Sequence, residues 1–418
     1  MAKVAIFTIL LCSIFAFAAN CSKNNAAGTQ VQGEGVGAET APTPTSEPVA
    51  RPTPEPAAHR LDTYLPLLRE LRVALVVNQT STVGSTHLVD TLLAAGVTVQ
   101  RIFAPEHGFR GAAAAGAAVA DGRDVRSGLP IKSLYGRNKK PSAADLADVD
   151  LIVFDIQDVG ARFYTYISTL YHVMDAAADH NVRVVVLDRP NPNGHYVAGP
   201  VMPMANQSFL GIAPLPVVHG LTVGEFARMV NGEGWLPGGK RAPLTVIPMA
   251  YYNHDLPYSL PVAPSPNLPN DLSIALYPTL CFFEGTALSE GRGTDKPFQL
   301  YGHPKLRYGD HTFVPNPRGG GAHAKLKGQT CRGVDLSGMD LAAARRMKID
   351  YDLLVRAYRD LTDQGVTFFT RPEHFDLLAG GPELRRMIVA GRSGEEIAAA
   401  FNPEVTAFRA LRKKYLLY

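Results

Sequence analysis

Four apolar-rich runs, each closed by polar residues and spaced by helix-patterned segments, constrain this chain most. Val73 to Val77 (VALVV) ends in Asn78-Gln79, and Val97 to Phe103 runs into Ala104-Pro105-Glu106-His107. Val149 to Phe154 ends in Asp155-Ile-Gln-Asp158, and Val182 to Leu187 ends in Asp188-Arg189. A strand that is apolar throughout is buried on both faces, which a parallel sheet covered by helices provides. Thr86 to Ala95 places Leu88, Leu92 and Leu93 at helical spacing, and a second helix is expected from Thr165 to His180. The expected class is α/β with a parallel sheet.

The second half is less regular. Thr222-Val-Gly-Glu225 and Ser393-Gly-Glu-Glu396 read as capping boxes, which makes Glu225 structural. Ala263 to Asn270 (APSPNLPN) is locked by prolines into a loop, Ile274 to Phe283 looks like a strand, and the chain beyond about 345 is mainly helical. A domain boundary is expected near residue 265, giving domains over 59–265 and 266–418.

The N-terminus stands apart. Residues 1–20 carry one lysine, an apolar stretch VAIFTILLCSIFAFAA and then Cys21, the pattern of an export signal too short to serve as a membrane span. Ala18-Ala19-Asn20-Cys21 resembles a lipobox with Cys21 as the lipidated residue, although Asn20 is atypical there; Ala16-Phe17-Ala18 offers the alternative of simple cleavage. Residues 21–58 hold almost no large apolar side chains and are expected to form a disordered, proline-stiffened tether. An exported protein follows, periplasmic or membrane-anchored, meeting the membrane only through such a lipid. The folded part keeps two cysteines, Cys281 and Cys331, for which a disulfide and two buried thiols are both open.

With a formal net charge of +3 over 418 residues and no basic run interleaved with aromatics, nucleic acid is not an expected partner. Several chemistries are absent from the folded region: G-x-S-x-G, S-x-x-K and H-E-x-x-H do not occur there. Gly234 to Arg241 (GWLPGGKR) misses the P-loop because Arg241 stands where Ser or Thr must hold magnesium. No motif calls for a cofactor or a metal.

Phe103 to Gly111, FAPEHGFRG, therefore carries most weight. Ligands of open parallel sheets bind beyond the carboxyl ends of the strands, where this segment places an acid, an imidazole and a guanidinium. Solvation alone favours polar strand ends, but four in succession argue that Asn78, Glu106, His107, Asp155, Asp158, Asp188 and Arg189 rim one cleft. Carboxylates without metal, here Glu106, Asp155, Asp158, Glu284 and Glu290, are the usual equipment for glycoside hydrolysis. A general acid must hold its proton until the leaving oxygen takes it, and Phe103 and Phe109 flank Glu106. Tyr164, Tyr166 and His219 are polar neighbours. Arg110, Arg162 and Arg292 lie in glycine-containing segments and are each candidates to grip a substrate carboxylate or to form a structural ion pair.

FAPEHGFRG, FDIQDVGARFYTYISTL (154–170), LDRPNPNG (187–194), HGLTVGEFA (219–227), PSPNLPN (264–270), FEGTALSEGRGTDKPF (283–298) and the terminal KYLLY together resemble the exo-β-N-acetylmuramidases, over about residue 61 to the last. The resemblance implies a Rossmann-like N-terminal domain, a smaller α+β C-terminal domain and a site in the cleft between them. It implies release of N-acetylmuramic acid from the non-reducing ends of peptidoglycan fragments, with the catalytic glutamate at Glu106. The second catalytic group is open between Asp155, Glu290 and the sugar's own acetamido group. His107, Arg110, Asp158, Arg162, Tyr164, His219, Asn267 and Arg292 are the expected substrate contacts, an arginine reading the lactyl carboxylate of the sugar. A non-catalytic muropeptide-binding lipoprotein with the same cleft is the alternative, and an esterase or amidase is weakened by the missing nucleophile motifs. The sequence departs from the family at Tyr251-Tyr-Asn-His-Asp255, a region that often carries a Trp.

Overall fold

A computed structural model describes residues 53–110, 120–316 and 324–418. The expected signal, Cys21 and most of the tether lie outside the described residues. The chain is already packed where the tether was expected to continue: Glu55 bridges to Ala250, the Ala57 amide donates to the Asp188 carbonyl at 2.9 Å, and Ala57 and Ala58 are fully buried. Small side chains can be buried under a sheet edge without the apolar signature that marks a core, which is why composition misplaced this boundary.

The first half holds helix α1 (Leu61–Leu68), strand β1 (Arg72–Val77), the short β2 (Thr82–Val83) and β3 (Thr86–His87), α2 (Leu88–Ala94) and β4 (Thr98–Ala104). It continues with β5 (Gly122–Arg123), β6 (Pro130–Ser133), α3 (Ala143–Leu146), β7 (Leu151–Asp155), α4 (Tyr166–His180), β8 (Arg183–Leu187), α5 (Val223–Gly232) and β9 (Leu244–Ile247). The sheet order is β5-β6-β4-β1-β7-β8-β9, parallel throughout except for the β5–β6 pair. Leaving aside the edge strand β5, this is the doubly wound order, with the reversal of winding between β1 and β7. Along β1, Val73, Leu75 and Val77 pack into the core under α1 and α2, while Ala74 and Val76 join the larger core on the other face. Both faces are buried, as unbroken apolar runs require.

The second half comprises α6 (Asp271–Leu280), β10 (Leu300–His303), β11 (His311–Phe313), β12 (Cys331–Asp335), α7 (Leu341–Met347), α8 (Tyr351–Thr362), α9 (Pro372–Ala379), α10 (Glu383–Val389) and α11 (Gly394–Arg412). Its small sheet is antiparallel, in the order β10-β12-β11. The segment expected as a strand from Ile274 is instead α6 followed by a 3-10 turn. Asn270 and Ser273 form a reciprocal cap at its start, and residues 273–280 are buried all round, so no periodicity distinguishes helix from strand there. Both capping boxes read from the sequence are present.

The larger apolar core runs from Ala74 to Phe408, so the two halves share it. The chain end returns to the first half: the Tyr418 hydroxyl donates to Asp188 at 2.9 Å and accepts from the Met249 amide, and the Leu417 amide donates to Glu225. Cys281 and Cys331 are both free, buried thiols.

Candidate active site

Strand β4 delivers the chain into Pro105-Glu106-His107-Gly108, a turn closed by the Gly108 amide on the Pro105 carbonyl at 3.0 Å. His107 takes a φ of 68° and Gly108 one of 75°. Left-handed backbone at a residue with a side chain costs on the order of 1–3 kcal/mol and is retained where the surroundings impose it, often at functional sites. The turn lowers Glu106, half-buried, and His107, buried, into a cavity of about 230 Å³. Thr165 caps the N-terminus of α4 in position only. Its hydroxyl leaves the helix amides alone and donates to Glu106 Oε2 at 3.1 Å. Tyr135, two residues past β6, also hydrogen-bonds Glu106; burial first, then the Glu106 charge, push its phenol far above the ordinary range, so it stays protonated as a donor. Two donors thus fix the Glu106 carboxyl group.

The opposite wall comes from the second half. The 3-10 turn after α6 presents Glu284, and the loop behind it presents Arg292, whose Nη2 lies 2.6 Å from Glu284 Oε1. His374, from the first turn of α9, brings its Nε2 to 3.3 Å from Glu284 Oε2. Burial would raise the Glu284 carboxyl, but the charges of Arg292, His374 and Lys325 outweigh it and hold the group well below the usual carboxylate range. Burial alone would lower Arg292. Glu284 and Glu290 reverse that, and the guanidinium rests 5.2 Å from the Phe298 ring centre. Cys281, its thiol pushed well up by burial, faces Glu284 as an inert wall group. Tyr164, Tyr277 and Phe209 complete an aromatic lining of the kind a sugar face packs on.

Of the residues expected at the site, the structure brings together Glu106, His107, Tyr164, Tyr166, Asn267, Glu284 and Arg292. The Tyr164 hydroxyl is committed to the Pro264 carbonyl at 2.8 Å, which leaves its ring to line the cavity and pins the proline loop that carries Asn267.

The other expected residues lie elsewhere. Asp155 is fully buried and clasped by Arg189, with Nε at 2.5 Å and Nη2 at 2.8 Å. Asp158 accepts from the Gly160 amide at 2.7 Å, and burial lifts its carboxyl to about 7. It shapes a turn in which a Cβ at Gly160 would lie 2.2 Å from Asn191. Arg162, wholly buried, donates to the carbonyls of Pro200, Leu215 and Leu378 and so ties the halves together. Arg110 pairs with Asp124 at 2.7 Å and lies over Phe109. His219 is buried and held neutral by desolvation, its pKa down at about 3, and its Nδ1 accepts from the Leu221 amide. Glu290 sits behind the wall, 3.0 Å from Lys325 Nζ, and does not line the cavity.

The expectation that all four strand ends rim one cleft fails for a topological reason. The reversal point between β1 and β7 is filled by the chain's own polar groups. Ser81 bonds the Asp155 carbonyl, Thr80 bonds Asn78 and the Gln157 amide, and Arg189 spans Asp155 and the Thr82 carbonyl. The cavity opens beside it, past β4 and β6. Among the described residues, no three of His, Cys, Asp and Glu are grouped to hold a metal ion.

Two carboxylates from opposite walls, aromatic faces and an arginine in a sugar-sized cavity define a glycoside hydrolase site on an α/β frame. Family models for exo-beta-N-acetylmuramidase NamZ match the chain twice, the N-terminal model over residues 73–272 and the C-terminal model over 275–418. Peptidoglycan beta-N-acetylmuramidase NamZ of Bacillus subtilis (strain 168) is 36% identical over 386 residues, covering 86% of this chain and 90% of its own. A crystal structure of a DUF1343 family protein from Bacteroides fragilis NCTC 9343 superposes with a TM-score of 0.81 at 44% identity, covering 88% of this chain and 99% of that one. A second DUF1343 protein of that organism gives 0.75 at 28% identity, covering 89% and 100%. The chain belongs to the exo-β-N-acetylmuramidase NamZ family.

Proposed function

We propose that this chain is an exo-acting glycoside hydrolase that releases N-acetylmuramic acid from the non-reducing ends of peptidoglycan fragments. The observation that carries this is the single cavity shared by Glu106, Glu284 and Arg292. At about 230 Å³ it falls below the roughly 300–1,000 Å³ of drug-sized ligand pockets, which suits one terminal sugar rather than a chain lying across it. Glu106, oriented by Thr165 and Tyr135, gives its proton to the glycosidic oxygen as the bond to the anomeric carbon breaks. Glu284, held ionised, is the anion facing the positive charge that develops on the sugar; water then bonds to the anomeric carbon and the Glu106 carboxylate takes up the proton it sheds. Asp155 and Glu290 are no longer candidates, since neither reaches the cavity. Arg292 Nη1, engaged by no hydrogen bond among the described residues, is assigned to the lactyl carboxylate.

Digestion of defined glycan chains tests the exo mode: muramic acid should appear from the first time point while chains shorten one end at a time, and early internal fragments would refute it. Arg292→Lys keeps the charge but loses the planar fork. It should raise KM for an aryl β-N-acetylmuraminide about tenfold or more, the loss of one charged hydrogen bond of about 1.5–3 kcal/mol. The small residual turnover of the matched glucosaminide, which lacks the lactyl group, should fall less, by only what the Arg292–Glu284 pair contributes.

The apolar start of the chain and Cys21 support export and lipid anchoring, with the anchor as the sole membrane contact. Among the described residues no helix is long and apolar enough to cross a membrane. Labelling cells with a fatty-acid analogue should mark the wild type and not Cys21→Ala; an unlabelled wild type would end the lipoprotein proposal.

A further inference from the structure

The two oxygens of Glu284 keep different company. Oε1 is taken by Arg292 Nη2 at 2.6 Å and by the Cys281 thiol at 3.7 Å. Among the described residues, the one hydrogen bond to Oε2 comes from His374 Nε2 at 3.3 Å. An ionised carboxylate only accepts, so the imidazole must carry a proton on Nε2 and donate it. Glu284 and His374 both line the sugar cavity, and Oε2 is the less occupied oxygen, the one left to face the anomeric carbon.

Neither of the other two cations reaches that oxygen by a hydrogen bond. Arg292 is shared: it also lies 3.7 Å from Glu290, rests on Phe298 and is assigned to the lactyl carboxylate. Lys325 donates to the carbonyls of Phe283 and Thr286 and pairs with Glu290, so it acts on Glu284 only through space.

His374, by contrast, is placed by tight packing. It stands in the first turn of α9, two residues after the opening Pro372, and α9 is clamped onto the 3-10 turn that carries Glu284. The Arg371 amide donates to the Gly285 carbonyl at 3.0 Å, and the fully buried Phe375 lies against Phe282 with ring centres 5.6 Å apart. A Cβ at Gly285 would fall 2.6 Å from Phe375 Cβ and 2.8 Å from its Cα, an approach that only glycine allows. The residues flanking Glu284 are thus fixed to those flanking His374, and the two backbones cannot slide past each other.

We infer, resting on the hydrolase reading, that His374 is a positioning residue which holds Glu284 Oε2 in register with the anomeric carbon while Arg292 serves the sugar's carboxylate. Anchors on both oxygens fix the plane of the carboxylate. With one anchor it pivots about the Arg292 contact, and the anion leaves the place where positive charge develops. Loss of Arg292 should therefore weaken binding, and loss of His374 should slow the chemical step.

The test is steady-state kinetics on the natural disaccharide, with circular dichroism to confirm each fold. His374→Leu should lower kcat about thirtyfold, short of the roughly hundredfold that a 1 Å misplacement can cost, with KM within about threefold of wild type. His374→Gln keeps an N–H donor and should recover most of the loss. In a Glu284→Gln background, His374→Leu should lower kcat no further, because the group it acts through is gone. Unchanged kcat in His374→Leu, a higher KM in place of a lower kcat, or additive losses in the double variant would overturn the inference and leave the hydrolase intact. A wild type that turned over nothing would instead overturn the hydrolase reading, and this one with it.

Discussion

Glu106→Gln is expected to lower kcat on the natural disaccharide about a thousandfold, within the 10²–10⁴ range of a lost general acid. Glutamine keeps the shape and can still accept from Thr165 and Tyr135, but it has no proton to deliver. The effect should depend on the leaving group. An aryl glycoside departs as a stabilised phenolate and needs less help, so the variant should lose markedly less on it. A substitution that merely damaged the cavity would depress both substrates alike. Kinetics on the two substrates, with circular dichroism to confirm the fold, distinguish these outcomes; equal losses would remove Glu106 from the acid role.

The second large effect concerns stability. Asp155→Ala leaves the Arg189 guanidinium buried, at 3% exposure, without its carboxylate. Breaking a buried ion pair from one side costs about 3–5 kcal/mol, and the Arg189 guanidinium that Asp155 holds also fixes the loop after β1 through the Thr82 carbonyl. The midpoint of urea unfolding should fall accordingly, while activity per folded molecule stays within a few-fold of wild type. The double variant Asp155→Leu/Arg189→Met should recover part of the loss, since an apolar pair leaves no uncompensated charge. Unchanged stability with abolished turnover would return Asp155 to the catalytic machinery.

How far the sequence could be read follows from these residues. β1, β4, β7 and β8 fall within a residue or two of the expected runs; burial on both faces writes a near-continuous apolar signature in β1, β7 and β8, while β4 is buried throughout only over Ile102 to Ala104. β6 was missed: four residues with two polar ones carry no such signature, and Tyr135 was lost with it. Glu106 and His107 were legible since strand-end position and glycine neighbours coincide there. Asp155, Asp158 and Asp188 also follow strands, yet they serve the chain itself: Asp155 holds Arg189 at the reversal point, Asp158 the Gly160 turn and Asp188 the start of α5. Sequence gives no way to tell a polar group that meets ligand from one that meets the next loop.

Glu284 was visible as a carboxylate in a distinctive segment but ranked behind Glu290, because a strand ending at Phe283 gives no reason for its side chain to face the cleft. The helix and 3-10 turn supply that reason. His374 lies 90 residues further along and had no local signal at all. The arginines show the same limit. Arg162 and Arg292 sit in similar glycine-containing contexts, and only packing reveals that one binds three carbonyls while the other faces the cavity.

The first measurement to make is hydrolysis of an aryl β-N-acetylmuraminide beside the matched glucosaminide, using a chain that begins near residue 53. Rapid release of chromophore from the muraminide, with little or none from the glucosaminide, is the expected result. Tight binding of the muraminide or a muropeptide without any turnover would contradict a hydrolase and make the cavity a binding site.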